Sequence, residues 1–147
     1  MFWIYVCKGK VFFGYGKENG GKIFENDFKR SVEKYNYFCY RLKDSAQAFG
    51  GTSNLRFSLT NPFDYFMFAN KHLFCLELKS TKGTSMSFWR EDFEEKGKKQ
   101  TFMIKKHQIK GLVDAIQYSN IVAGLVLNFR DKEKTYFWDI KDFLEFI

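Results

Sequence analysis

The segment FDYFMFANKHLFCLELKSTKGTS, residues 63–85, constrains this chain more than any other. Two apolar runs flank the dipeptide Asn70-Lys71, and runs of that kind around two polar residues read as a β-hairpin. Both runs carry charge where a core is expected: Asp64 in the first, Glu77 and Lys79 in the second. Burying a charge is costly unless it is paired or holds a metal. With a two-residue turn at Asn70-Lys71, facing positions sum to a constant and Asp64 is expected opposite Glu77. Facing side chains approach to about 5 Å, where like charges repel. Glu77 and Lys79 are two apart on one strand and share a face.

Two readings follow. A divalent cation between the carboxylates would remove the repulsion, since Mg²⁺ takes a few carboxylate oxygens together with waters and phosphate. Lys79 would then lie beside it, placed to hold the attacking water, and the backbone carbonyl of Leu78 is a further candidate ligand. Alternatively, Asp64 and Glu77 solubilise an edge strand and Lys79 simply neutralises Glu77.

The chain has 147 residues, a length that suits one domain over 1–147 with a single core. At 45% hydrophobic and 20% aromatic it can bury that core. No long uncharged apolar stretch is present, so no membrane span is expected. The opening MFWIYVCKGKVFF lacks a basic leader and a small-residue cleavage site, which points to the cytoplasm, of a bacterium or of a phage's host. Cys7, Cys39 and Cys75 are widely spaced and form no CxxC pair, so reduced core thiols are expected. The formal charge of +7 suits a polyanion, nucleic acid above all. Lysines gather in EKGKKQ and IKKHQIK, just after the acidic pair: Lys98, Lys99, Lys105, Lys106 and Lys110, with His107 among them. A basic surface beside carboxylates attracts phosphate to a metal.

Coarse patterning gives the element order. GKIFENDFKRSVEKY places Ile23, Phe24, Phe28 and Val32 on one helical stripe, with Glu25 at its edge. Residues 40–62 have no steady period and read as an irregular excursion with a short strand near NLRFSL. IKKHQIKGLVDAIQYS is a helix, NIVAGLVLNF a strand covered on both faces, TYFWDI a strand and DIKDFLEFI a closing helix. A hairpin is also expected about Lys8-Gly9-Lys10. A helix crossing between strands favours a mixed central β-sheet flanked by helices, an α/β (α+β) fold.

The residues carry a resemblance. Asp64, Glu77 and Lys79 stand as D-x12-E-x-K, the signature of the PD-(D/E)xK nuclease superfamily. GKIFENDFKRS before it, ELKSTKGTSMSF through it, then IKKHQIKGL, AGLVLNFRD and TYFWDIKDFLEF resemble the RecU-type Holliday-junction resolvases over roughly residues 14–147. These proteins are also known as penicillin-binding-protein-related factor A, and phages carry related versions. The resemblance implies metal binding by Asp64 and Glu77 and a catalytic role for Lys79. It implies that Glu25 faces the metal site and that Gln108 lies near it. It further implies a Mg²⁺-dependent homodimer (Mn²⁺ as an alternative) that cuts opposed strands of a four-way DNA junction. Two departures stand out. Pro62-Phe63 occupies the place where the family often has a hydroxyl residue before the aspartate. The excursion at 40–62 is short for the stalk that the family inserts into the junction.

GKENGGK (16–22) fits GxxxxGK, but Ile23 stands where a P-loop needs Ser or Thr, so no nucleotide cofactor is expected. That loop, with Lys22, can instead hold a DNA phosphate. Lys82 is placed to meet phosphate where the chain leaves the second strand. The expected activity is endonucleolytic hydrolysis of branched DNA. Other nuclease action on flaps, nicks or duplex, and a non-catalytic DNA-binding module, are the rival readings.

Overall fold

The turn at Asn70-Lys71 forms as the sequence requires. Both residues have positive φ, 50° and 67°, the backbone twist that a two-residue hairpin needs. The computed structural model describes residues 20–43, 46–47, 57–58, 60–91 and 101–147, with backbone only at 46–47 and 57–58. The expected hairpin near Lys8, Cys7, and Lys98 and Lys99 lie outside the described residues.

Helix α1 (Gly20–Lys34) buries Phe24, Phe28 and Val32 on one stripe. Asn36, with φ 56°, lies just beyond its end, in the left-handed conformation that asparagine tolerates. Strand β1 (Phe38–Arg41) follows. The sequence reading had no strand at Phe38 and began its irregular excursion at Tyr40, and here the structure corrects it. Only four residues pair, too few for a period of two to stand out. Within the excursion, β2 (Ala46–Gln47) and β3 (Phe57–Ser58) pair antiparallel as a small separate ribbon. The hairpin is β4 (Tyr65–Ala69) and β5 (His72–Thr81), with Ala69 opposite His72 and Tyr65 opposite Leu76. Helix α2 (Lys106–Ala115) then leads to β6 (Ile121–Phe129), β7 (Lys134–Asp139) and α3 (Ile140–Phe146). A 3₁₀ turn at Arg130–Lys132 and Glu133 in the left-handed region (φ 49°) join β6 to β7.

The five main strands form one mixed sheet in the order β1-β4-β5-β6-β7. Only the β5–β6 pair is parallel, and α2 supplies the crossover that a parallel pair needs. Alternation along β5 sends Leu76 and Leu78 to one face and Cys75 to the other. On the first face, α1 closes over Tyr65, Met67, Leu76, Leu78 and Val126. On the second, α2 and α3 pack Ile109, Leu112, Ile140 and Phe143 over Cys75, Ala123, Leu125 and Leu127. This is the mixed, helix-flanked sheet that the sequence reading expected. Cys75 is a buried free thiol, whereas Cys39, on the outer strand, is only half-buried. Among the described residues no helix is long and apolar enough to cross a membrane.

Helix α2 is seated by a close approach. A Cβ on Gly111 would lie 2.5 Å from the Pro62 carbonyl oxygen and 2.8 Å from its Cα. Gly111→Ala is therefore expected to destabilise the protein. Alanine gains about 1 kcal/mol in helix propensity, but the obstacle is backbone, and overpacking costs about 1–3 kcal/mol. A lower chemical-denaturation midpoint is the readout. An unchanged or higher midpoint would mean that α2 shifts freely over Pro62.

Candidate active site

The ladder of the hairpin keeps its constant sum as far as Tyr65 and Leu76. There the regular pattern stops. The Asp64 N–H bonds to the Leu76 carbonyl at 3.0 Å, and the Asp64 carbonyl accepts from the N–H of Leu42, just past β1, at 2.8 Å. In a regular strand both groups of one residue face the same neighbour. Asp64 instead faces one strand with each, and with Tyr65 it makes two residues opposite Leu76, the pattern of a bulge. The expectation that Asp64 sits squarely opposite Glu77 is thus corrected. An extra residue at the corner re-aims the aspartate.

Its carboxylate accepts from Leu78 N–H at 2.8 Å through Oδ2. N–H and C=O of one strand residue point to the same edge, so the Leu78 carbonyl is directed to the edge of β5 that Asp64 occupies. Glu77 is 1% exposed, the one buried charged residue among those described. It lies on a strand with neighbours on both sides, so the edge-solubilising reading does not apply to it. Its Oε1 takes Lys79 Nζ at 2.7 Å and also the side-chain amide of Gln108. The Asp64 carboxylate is close enough to be felt there. Burial first, and then the Asp64 carboxylate, push Glu77 up to about 7, against the pull of Lys79.

Gln108 owes its position to the start of α2. Its Oε1 accepts from the Lys105 backbone N–H at 2.9 Å, the side-chain half of a capping box. That bond fixes the amide so that its nitrogen faces Glu77. The resemblance implied that Gln108 lies near the site. Its observed partner is the carboxylate itself.

Glu25 is not part of this group. It ion-pairs with Arg41 at 3.0 Å, and α1 packs on the face of β5 opposite to Glu77. No set of three or more His, Cys, Asp or Glu side chains among the described residues could share a metal. Where the resemblance implies that Glu25 faces the metal site, its carboxylate here is held by Arg41. Arg41 went unread because its strand did. Glu25 does act on Tyr65, whose phenol is pushed up to about 12 by burial and by Glu25.

Of the basic residues, Lys22, Lys82, Lys105 and Lys110 are exposed. Lys106 stacks its ammonium over Trp89, 4.3 Å from the ring centre, so part of its charge is already engaged. His107 is held below the usual imidazole range by partial burial and by the ammonium groups of Lys105 and Lys79. Lys79 is therefore near enough to be felt at His107. Arg130 is a further cation that sequence reading passed over. Its guanidinium lies against Gly20, where a Cβ would overlap it.

No family model matches the chain. A prophage-derived protein of Bacillus subtilis strain 168, the uncharacterised SPbeta protein YotM, is 40% identical over 134 residues. The match covers 89% of this chain but 61% of YotM, so the chain spans about three-fifths of its relative's length. Among solved structures, Hjc of Archaeoglobus fulgidus, described as a Holliday junction resolvase from an archaeal hyperthermophile, aligns with a TM-score of 0.50. That alignment covers 82% of this chain and 78% of Hjc at 16% identity, a likeness of fold.

Proposed function

We propose that this chain is a metal-dependent DNA endonuclease of the RecU-type kinship that its motifs resemble. The observation that carries the reading is the buried Glu77 carboxylate, with an ammonium 2.7 Å away and the Asp64 carboxylate bonded to the next residue's N–H. Packing alone gives no reason to bury one acid against another. Lys79 and Gln108 occupy Glu77 Oε1, and Leu78 N–H occupies Asp64 Oδ2. With the Leu78 carbonyl, the two acids offer an all-oxygen donor set, which fits a hard divalent cation. Asp64 and Glu77, with the Leu78 carbonyl, would hold Mg²⁺, or Mn²⁺ in its place. Such an ion supplies Lewis-acid polarisation of phosphate and a water of lowered pKa.

The remaining chemistry belongs to the chain. Lys79 orients the attacking water and offsets the charge that develops on the phosphate. Gln108 holds the Glu77 carboxylate in one rotamer. Lys82, Lys105, Lys110 and His107 meet the DNA backbone, where ammonium groups displace counterions. Branched DNA is the proposed substrate, a four-way junction cut on opposed strands by two copies related by a two-fold axis. The sequence motifs and the fold shared with Hjc support this choice. The short β2–β3 ribbon, in the segment where the resemblance places a stalk, favours a second reading: cutting of flaps or other branched DNA with weaker junction preference.

The test is an end-labelled four-way junction and a matched linear duplex, each incubated with Mg²⁺, with Mn²⁺ and with EDTA, using Asp64→Asn as control. Paired nicks in opposed strands that need metal and Asp64 are the expected result. Tight binding with no cut in either metal would leave a DNA-binding module and end the nuclease reading.

A further inference from the structure

The described surface carries an aromatic face that the chemistry above leaves unused. On β1, Phe38 faces Phe68 of β4, and Tyr40 faces Phe66. Phe66 in turn faces Cys75. Alternation therefore puts all four rings on the side of the sheet that carries Glu77 and Lys79. Phe38 is 63% exposed, and Tyr40 and Phe68 are each 51% exposed. Phe66 sits beneath them, edge-on to Phe63 with ring centres 5.1 Å apart. Helix α2 packs over β5 and β6 on this side.

Rings this open, grouped on one side of a sheet, mark a surface in use. Three half-exposed rings offer on the order of 300 Å². That is well short of the ~800 Å² per partner of a stable protein interface. Lysines outnumber acids around it: Lys43 follows β1, Lys71 turns the hairpin beside Phe68, and Lys110 precedes Gly111 on α2, all exposed, with Asp114 one turn further along α2. Two copies meeting through this same face would set these lysines against one another, whereas nucleic acid brings phosphate for the lysines and flat π faces for the rings. Along β4, Phe66 and Phe68 lie two and four residues from Asp64, about 7 and 13 Å, within reach of one or two unstacked nucleotides.

We propose that Phe38, Tyr40 and Phe68 form a stacking platform for unpaired bases of the DNA strand held at Asp64 and Glu77. The inference rests on the nuclease reading for its register. It narrows the substrate class to DNA with unpaired nucleotides beside the scissile phosphate. Fully paired duplex would reach the carboxylates without using the rings.

Tyr40→Leu, Phe68→Leu and the double variant keep apolar bulk and remove the π face. Fluorescence anisotropy in EDTA gives the Kd for a single-stranded oligonucleotide, a junction with an unpaired centre and a blunt duplex. Each single variant is expected to weaken single-strand binding about ten-fold, and the double roughly a hundred-fold. Duplex affinity stays within two-fold and the melting temperature is unchanged. Equal losses on duplex, or no loss at all, would overturn the platform. So would a wild-type dimer that Phe38→Glu dissociates while DNA affinity holds, because the occupant would then be a second copy. Cleavage assays separate the two ideas. Ring-dependent binding without any cutting keeps the platform and removes the nuclease. Cutting that ignores the rings does the reverse.

Discussion

Glu77→Gln is expected to lower Mg²⁺-dependent cleavage at least about a thousand-fold and, in metal-free buffer at pH 8, to raise the melting temperature by several degrees. The two effects have one cause. Charged Glu77 is buried against Asp64, and both burial and repulsion oppose its ionisation. Its folded-state pKa, about 7, lies above the ordinary carboxylate value of 4.5. A group raised in this way stabilises the fold fully below pH 4.5, and that contribution is lost as pH rises through about 7. Metal-free wild type should therefore lose stability between about pH 5 and pH 8. The glutamine variant, which has no proton to lose, should lack that component. If Asp64 and Glu77 hold Mg²⁺ as proposed, its addition should reverse the order, because a bound cation favours the carboxylate over its protonated form and its affinity rises with pH. Melting curves from pH 5 to 8.5, with EDTA and with Mg²⁺, check this. A metal-free wild type whose stability rises through that window relative to the variant would refute the account of the site.

The second large effect is at Lys79. Lys79→Met should reduce cleavage by about 10²- to 10³-fold, in line with removal of one preorganised donor to a developing charge. It should also move metal binding to higher pH, since Lys79 is what lowers Glu77. Lys79→Arg should restore the metal affinity more than the rate. A planar guanidinium keeps the charge but does not place a single donor as the ammonium does, 2.7 Å from Glu77 Oε1. Calorimetric Mg²⁺ titration at pH 6.5 and 8.5 separates the two roles. Full cleavage by the methionine variant at any pH would remove Lys79 from the reaction.

Much of the architecture was legible. The helical stripe of Phe24, Phe28 and Val32, the turn at Asn70-Lys71 and the apolar run of β6 each have a local cause. Periodicity and turn chemistry act over a few residues, and sequence displays them directly. Strand β1 was hidden because it lies on the outer edge of the sheet with mostly exposed residues, where nothing forces alternation. The bulge at Asp64 was hidden for a different reason. It arises where β4 must meet both Leu42 and Leu76, and no local pattern encodes a contact made from two sides.

The contrast is clearest at the acids. That two carboxylates and a lysine enter the central hairpin follows from turn position and a period of two, which are local properties of the chain. Tertiary structure alone decided how they are used. It seated α2 on Pro62 so that Gln108 reaches Glu77, and it left Glu25 to Arg41 on the other side of the sheet. Burial, and with it the protonation of Glu77, depends on what packs above and below a strand. Those neighbours come from segments distant in the chain, so their effect exists only once the sheet and its helices have closed.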